Sequence, residues 1–145
     1  MKKTKKEIEL NHSALDLYKI VLDIEEYPNY IPWCTKIEII DKNKNQITAN
    51  MIVNYSFFPT QKFTSRVTWD DKKKIINTKY IQGPLKDLFT EWSFLEINNN
   101  NSRVILNAGF EFKDFIHQKI ALIFFPLIED KMIKSFIKRA EELLN

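Results

Sequence analysis

Hydrophobic and polar residues alternate with a period of two along much of this chain, a pattern that predicts β-strands with one buried face. In residues 47–57 the odd positions are apolar, and Thr48, Asn50 and Asn54 lie between them. Residues 88–97 are apolar on both faces. Together with shorter runs, the pattern predicts seven strands, near residues 4–10, 36–41, 47–57, 63–69, 74–82, 88–97 and 104–112.

Short segments rich in turn-forming residues separate the later strands. Residues 41–45, 70–73 and 98–101 consist of Asp, Asn and Lys, and Gly83-Pro84 forms another turn. Because a short loop joins antiparallel neighbours, six strands in succession predict a curved antiparallel meander. Gly109, inside a strand, suggests a bulge or a close approach of a helix.

Two regions change to helical periodicity. Asn11 or Ser13 can cap a first helix, and the second helix runs from about Phe115 to Leu144. The later half of the second helix is amphipathic, whereas its earlier half is apolar nearly all round. Pro126 lies inside it and is expected to kink the helix or split it in two, because proline removes a backbone hydrogen bond.

The element order β-α-α-β-β-β-β-β-β-α predicts an α+β fold of one domain over residues 1–145. A curved antiparallel sheet of about seven strands wraps the long C-terminal helix, and two short helices follow the first strand. A helix resting on a strongly curved sheet rarely fills the space beneath it. We therefore expect a cavity, and a cavity lined by aromatic residues takes an apolar ligand.

Composition supports a cavity more than a charged partner. Aromatic residues make up 13% of the chain, with 11 Phe against 2 Gly, enough to fill a core or to line a cavity. The net charge is +3, but the basic residues are spread out and nearly all Lys, with Arg only at 66, 103 and 139. Nucleic-acid recognition usually relies on clustered basic residues and on Arg, so a DNA partner is not expected.

Candidate chemistry is sparse. The single cysteine, Cys34, excludes an internal disulfide and a cysteine metal cluster. As a nucleophile it would need an activating base, and only His12 and His117 are available. Metal-ligand spacings and Gly-rich phosphate loops do not occur. We predict no catalytic residues, no metal site and no enzyme activity.

The longest apolar run, residues 120–128, is about half of what spanning a bilayer needs. Since Met1 is followed by lysines rather than by an apolar segment, no signal peptide is expected. We expect a cytoplasmic protein, with peripheral contact to the inner membrane as an extension. The run itself has two interpretations: burial on both sides, or a gate formed by Phe124, Phe125 and Leu127 that touches the membrane surface.

The order of elements resembles the START-like, helix-grip superfamily (SRPBCC, polyketide cyclase-like), and within it the coenzyme Q-binding branch that includes a bacterial ribosome-association toxin. The resemblance rests on VLDIEEYPNYIPWC at 21–34, on GPLKDL at 83–88, on WSF at 92–94, on FEF at 110–112, and on Met132, Phe136, Arg139 and Ala140. It departs at Phe124-Phe125-Pro126, where members often carry small residues.

The resemblance implies a START domain that binds ubiquinone or a similar lipid as ligand and acts as a chaperone or carrier in cellular respiration, without a further cofactor. It also implies an alternative, a toxin of a toxin–antitoxin pair that binds the large ribosomal subunit and blocks subunit joining. A cyclase or aromatase is a third. Trp33 could line the ligand entrance or be a packed corner. The predicted ligand contacts are Trp33, Met51, Tyr55, Phe63, Leu85, Trp92, Phe110, Ile120 and Phe124.

Overall fold

All seven predicted strands form one antiparallel sheet in the computed structural model of the chain, with the order β1-β7-β6-β5-β4-β3-β2. The structure describes residues 1–54 and 59–144, apart from the side chains of residues 120, 121 and 124. The predicted contacts Tyr55, Ile120 and Phe124 therefore lie outside what is described. The strands are β1 (Lys2–Leu10), β2 (Cys34–Asn43), β3 (Gln46–Val53), β4 (Gln61–Asp70), β5 (Ile75–Gln82), β6 (Leu85–Asn98) and β7 (Asn101–Phe112).

The helices match their predicted positions. Ser13 caps α1 (Ala14–Leu22) by accepting a hydrogen bond from the Asp16 N–H at 3.1 Å, and a short 3₁₀ helix (Ile24–Asn29) follows. The last helix, α2 (Phe115–Leu144), has the predicted bounds. Of the two expected effects of Pro126, the split is contradicted, because one continuous helix runs through it. Pro126 lies on the exposed side, where water can bond the carbonyl that lacks a helical partner.

Three of the turns between strands depend on the residues Asp70, Gly83 and Asn100. The Asp70 carboxylate accepts from two following backbone N–H groups at 3.0 Å, and Asn100 takes the left-handed conformation with φ 59°. Gly83 has φ 152°, and a Cβ there would lie 2.9 Å from the Lys62 carbonyl oxygen, so the turn requires glycine.

Gly109 permits a close contact, although not with a helix. The ladder between β6 and β7 is regular at this point, with Gly109 opposite Phe89. A Cβ on Gly109 would lie 2.3 Å from Cε1 of the Phe89 ring. The expected bulge is absent from this part of the ladder, and the group that approaches the glycine is an aromatic ring of the neighbouring strand.

The main core lies between one half of the concave sheet face, α1, the 3₁₀ helix and the C-terminal half of α2. Its centre is aromatic: the ring of Phe136 packs edge-on against Trp92 at 5.2 Å and against Tyr27 at 5.4 Å. The other buried residues include Leu17, Val21, Ile31, Trp33, Cys34, Ile47, Val67, Ile76, Phe94, Val104, Leu106, Ile133 and Ala140.

Candidate functional site

The concave face of the sheet divides into two halves that differ in how completely they are covered. In the packed half, core-facing residues such as Ile76 and Trp92 are buried beneath α1 and α2. A cavity between these helices and the sheet has a volume of only about 20 Å³, room for one water molecule. The described residues of this half therefore leave no space for a lipid.

The open half of the concave face lies toward the start of α2, and its residues are only half-buried although they lie on the inner face of the sheet. Strand pairing places them side by side: Met51 opposite Phe63, Thr78 opposite Thr90, and Leu88 opposite Phe110. We call this set the open half; its half-buried members are Met51, Phe63, Ser65, Thr78, Tyr80, Leu88 and Thr90.

Aromatic and aliphatic side chains form one end of the open half, and hydroxyl groups form its middle. Across the middle, one row runs through Thr4, Ala108, Thr90 and Thr78 on four neighbouring strands. The threonine hydroxyls in this row both donate and accept hydrogen bonds. The surface suits a ligand with a long apolar part and a compact polar part.

The N-terminal half of α2 borders the open half on the side of β7. The Phe125 ring lies 4.1 Å from the ring of Phe110, centroid to centroid. Phe110, Leu85 and Ala108 are buried, yet they stand apart from the main core. At the start of the helix, Gln118 accepts from the backbone N–H of Phe112 at 2.7 Å, which ties α2 to the end of β7.

Asp114 caps α2. Its carboxylate accepts from the His117 backbone N–H at 2.9 Å and contacts the His117 ring nitrogen at 2.6 Å. The bond from the His117 backbone has the largest effect and the contact with the ring adds to it, so the pKa of the Asp114 carboxyl is held below its ordinary value. The helix beside the open half therefore has a fixed starting point.

Glu129 is a buried acid on the sheet-facing side of α2, with 2% of its surface exposed. The Thr4 hydroxyl donates to its Oε2 at 2.6 Å, whereas Oε1 is buried without a hydrogen-bond partner. Glu129 lies one turn from Phe125 and one turn from Ile133, so the carboxylate falls where the two halves of the concave face meet.

The opposite side of the N-terminal half of α2 is apolar and exposed. Phe115 is 72% exposed, Ile116 71%, Ile123 68% and Leu127 54%. Burial on both sides, one of the two interpretations of the apolar run, is therefore wrong for its described residues. Among the residues that the structure describes, no helix is long and apolar enough to cross a bilayer.

The structure separates the predicted ligand contacts into two groups. Phe63, Leu85 and Phe110 lie in or beneath the open half, and Met51 lies at its border, where it also packs against the main core. Trp33 and Trp92 are buried in the main core, so the structure supports the packed-corner interpretation of Trp33. Ligand contact by any of these residues stays a prediction. Of the predicted gate, Phe125 faces inward against Phe110, and Leu127 faces outward.

Cys34 lies in a setting unsuited to nucleophilic chemistry. It is buried in the main core, and burial raises the pKa of its thiol to about 11. A thiol must ionise to attack, and this environment opposes ionisation. In the described part of the chain, no group of three or more His, Cys, Asp or Glu side chains could hold a metal ion.

Sequence reasoning missed Glu129, Thr78 and Thr90 because polar residues were assumed to face solvent. One signal was available for Glu129. Its spacing from Phe125, Ile133 and Phe136 places it on the apolar side of the amphipathic helix, where a charged residue is unusual.

A curved seven-stranded antiparallel sheet around a long C-terminal helix is the START-like, helix-grip architecture, and solved structures share it. The Zhui aromatase/cyclase of a Streptomyces species superimposes with a TM-score of 0.91 at 12% identity, over 99% of this chain and 96% of the other. A START superfamily protein from Mycobacterium smegmatis gives 0.85 at 18% identity, over 97% and 98%. At these identities the similarity concerns the fold.

The chain belongs to the polyketide cyclase/dehydrase and lipid transport family, whose pattern matches residues 10–137. It is 28% identical over 138 residues to the ribosome association toxin RatA of Rickettsia prowazekii, covering 93% of each chain. It is 30% identical over 139 residues to the mitochondrial coenzyme Q-binding protein COQ10 of Drosophila melanogaster, covering 93% of this chain and 56% of that protein. The predicted family and fold are confirmed.

Proposed function

We propose that this protein binds an isoprenoid quinone in the open half of the concave face, beside the N-terminal half of α2, and serves as a carrier or chaperone for it in support of respiration. The observation that carries the proposal is the division of the concave face. The fold packs the residues of one half so closely that a lipid is excluded. The residues of the other half stay partly exposed. The similarity to a coenzyme Q-binding protein supports the choice of ligand.

The chemistry of the open half supports binding rather than catalysis. Its members are mainly apolar or hydroxyl side chains, and the Tyr80 hydroxyl already accepts the Leu85 backbone N–H at 2.9 Å. A single carboxylate, that of Glu129, lies at its border. Acid–base catalysis usually needs a positioned acid and base, which the described residues do not bring together here.

Burial of the isoprenoid tail can supply the affinity. Each five-carbon unit removed from water contributes roughly 3–4 kcal/mol at about 0.8 kcal/mol per methylene. Association costs on the order of 4–15 kcal/mol. Burying about four units contributes about 12–16 kcal/mol. When the association cost lies at the lower end of its range, this leaves the roughly 8 kcal/mol that micromolar binding requires.

Delivery of such a ligand requires contact with a membrane, and we propose that the outer side of the N-terminal half of α2 makes it. Phe115 and Ile116 are exposed there, and Lys113 and Lys119 lie beside them. The Lys119 ammonium sits 4.7 Å from the centre of the Phe115 ring. Exposed apolar residues with adjacent lysines match the surface of an anionic bilayer.

A matched pair of substitutions tests the binding site. Thr78 and Asn77 are neighbours on β5 that face opposite sides of the sheet. Thr78→Phe fills the open half and should weaken quinone binding by tenfold or more, with little change in thermal stability. Asn77→Phe adds the same ring on the convex face and should bind as the wild type does. Equal affinities in the two variants would contradict the proposed site.

Identification of the ligand comes from organic extraction of the purified protein followed by mass spectrometry. A stoichiometric isoprenoid quinone in the wild type, reduced in Thr78→Phe, would support the proposal. A protein that yields none and takes up none of the added quinone would refute it.

The alternative is binding to the large ribosomal subunit, as the resemblance implies. The observation that favours it is similarity: the chain is 28% identical over 138 residues to the ribosome association toxin of Rickettsia prowazekii. Co-sedimentation with purified large subunits tests it. Stoichiometric binding that blocks subunit joining would establish this function, and its absence at micromolar protein would exclude it.

A further inference from the structure

We propose that the convex face of the sheet binds single-stranded RNA, with the ring of Phe89 as a stacking surface between basic side chains. This inference goes beyond quinone binding, which uses the opposite face of the sheet. It also gives the alternative function a specific contact, because RNA rather than protein would be the ribosomal component bound. The observation that carries it is one row of residues across five neighbouring strands.

Strand register brings together basic residues that are far apart in sequence. Arg66 lies opposite Lys79, Lys79 opposite Phe89, Phe89 opposite Gly109, and Gly109 opposite Lys3. We call these five residues the basic row. They face the convex side, since successive residues of a strand point to opposite faces and their sequence neighbours face the core. Arg66, Lys79 and Lys3 are all exposed.

Phe89 is the aromatic member of the basic row and is partly exposed. Its ring occupies the space above Gly109, where a Cβ would lie 2.3 Å from Cε1 of the ring. The ring therefore leans over β7 toward Lys3, and Lys79 lies on its other side. Neighbouring strands are about 4.8 Å apart, so the backbone of Lys79 is about 5 Å from that of Phe89 and the backbone of Lys3 about 10 Å. Aromatic rings on a sheet stack bases of single-stranded RNA, and nearby cations contact its phosphates.

The three cations of the basic row are not neutralised by the protein. Among the described residues, no carboxylate lies within ion-pair distance of any of them.

Three acids face the convex side close to the basic row. Glu111 pairs with Lys86 at 3.1 Å, and the Asp87 carboxylate accepts from a backbone N–H at 2.9 Å. Glu91 belongs to the next row, opposite Asn107. The excess positive charge therefore lies in the basic row itself, where it is available to an anionic partner.

Hydrogen-bonding side chains border the basic row and favour RNA over a lipid surface. Thr48 lies opposite Arg66, and Asn77 and Asn107 belong to the adjacent row. Hydroxyl and amide groups can contact base edges and the 2′-hydroxyl groups of RNA. A bilayer would be matched by a larger apolar area, whereas Phe89 is the single apolar side chain of the row.

Fluorescence anisotropy with a labelled single-stranded RNA of about 12 nucleotides tests the inference on the 145-residue chain. Each phosphate contact contributes about 0.7 to the dependence of log affinity on log salt, so three cations predict a slope of about −2. In the double variant Arg66→Gln/Lys79→Gln the slope should fall to about −0.7, with affinity at least about tenfold weaker at low salt. Lys138→Gln removes one exposed charge from α2 and should bind as the wild type does.

A second variant tests the stacking surface. Phe89→Leu keeps an apolar side chain over Gly109 but removes the aromatic face, and should weaken RNA binding by about tenfold with an unchanged salt slope. A double-stranded RNA of the same sequence should bind more weakly than the single strand, because its bases are already stacked. Equal affinities for the two RNAs would refute stacking on Phe89.

The remaining outcomes separate this inference from quinone binding. A wild type that binds no single-stranded RNA at low salt would refute the inference and leave the quinone site untouched, since Arg66→Gln/Lys79→Gln should bind quinone as the wild type does. Equal RNA binding by the wild type and the double variant would also refute it, and this test does not depend on Phe89. If the double variant instead loses binding to vesicles containing phosphatidylserine and keeps RNA binding, the row meets a membrane and the inference is wrong.

Discussion

Replacing Trp92 by Ala should mainly affect folding, although the sequence suggested a ligand contact at this position. Trp92 is 6% exposed and packs against the rings of Phe94 and Phe136. The cavity beside Trp92 has a volume of about 20 Å³, so the side chains around a deleted ring have little room in which to rearrange. Truncating a fully buried Trp costs about 3–5 kcal/mol, a large part of the stability of an ordinary domain. For a domain of this length the melting temperature should fall by about 10 °C.

Urea unfolding followed by circular dichroism measures the effect without depending on tryptophan fluorescence. Leu88→Ala is the matched control, since Leu88 lies on the same face of β6 but in the open half. Because Leu88 is half-buried, Leu88→Ala should lower the free energy of unfolding by about 1–2 kcal/mol. Quinone affinity should follow the opposite order, with the larger loss in Leu88→Ala. If Trp92→Ala unfolds within about 1 kcal/mol of the wild type, the division of the concave face into two halves is wrong.

Three further predictions concern single positions. Gly109→Ala should lower the melting temperature, because the new Cβ meets the Phe89 ring, and adding Phe89→Ala should restore part of the loss in calorimetry. The bonds that lower the pKa of Asp114 stabilise the fold fully above the ordinary pKa of an aspartate, and this stabilisation is lost as the pH falls through the lower native pKa. In thermal melts at pH 2–5, Asp114→Asn should therefore show a smaller fall in melting temperature with decreasing pH than the wild type does. Cys34, with its thiol pKa near 11, should resist a thiol reagent at pH 8 in the native protein and react fully in urea; stoichiometric labelling of native protein within seconds would contradict its burial.

The element order could be predicted from sequence because it depends on local patterns. Alternation identified each strand, and the bounds of α2 followed from its periodicity. Strand ends were less predictable: β6 begins at Leu85 rather than near Leu88, since the polar residues Lys86 and Asp87 break the alternation there while β6 still pairs with β7 through the backbone. The sequence could not decide whether Pro126 kinks or splits α2, because it does not show which side of a helix faces water.

The candidate site was less predictable than the fold. Alternation shows which face of a strand is inward, but not which part of that face another element covers. Trp92 and Leu88 share a face and a strand, yet only the first is in the main core. That difference depends on where α1 ends and on how far α2 extends, which are long-range properties. Glu129 was missed for a related reason, since its neighbours in space come from β1, at the other end of the chain.

The pairing of β1 with β7 has a consequence for the order of folding. Every other neighbouring pair in the sheet joins strands that are consecutive in sequence, whereas Lys2 pairs with Phe110. Contacts between such distant residues close a long loop and form late, so the six-strand meander should assemble before β1 docks. As one of the two edge strands, β1 should also open more readily than the central strands and exchange its amide hydrogens earlier. Each such opening separates Thr4 from Glu129, so occupancy of the open half should slow hydrogen exchange in β1 more than in β4.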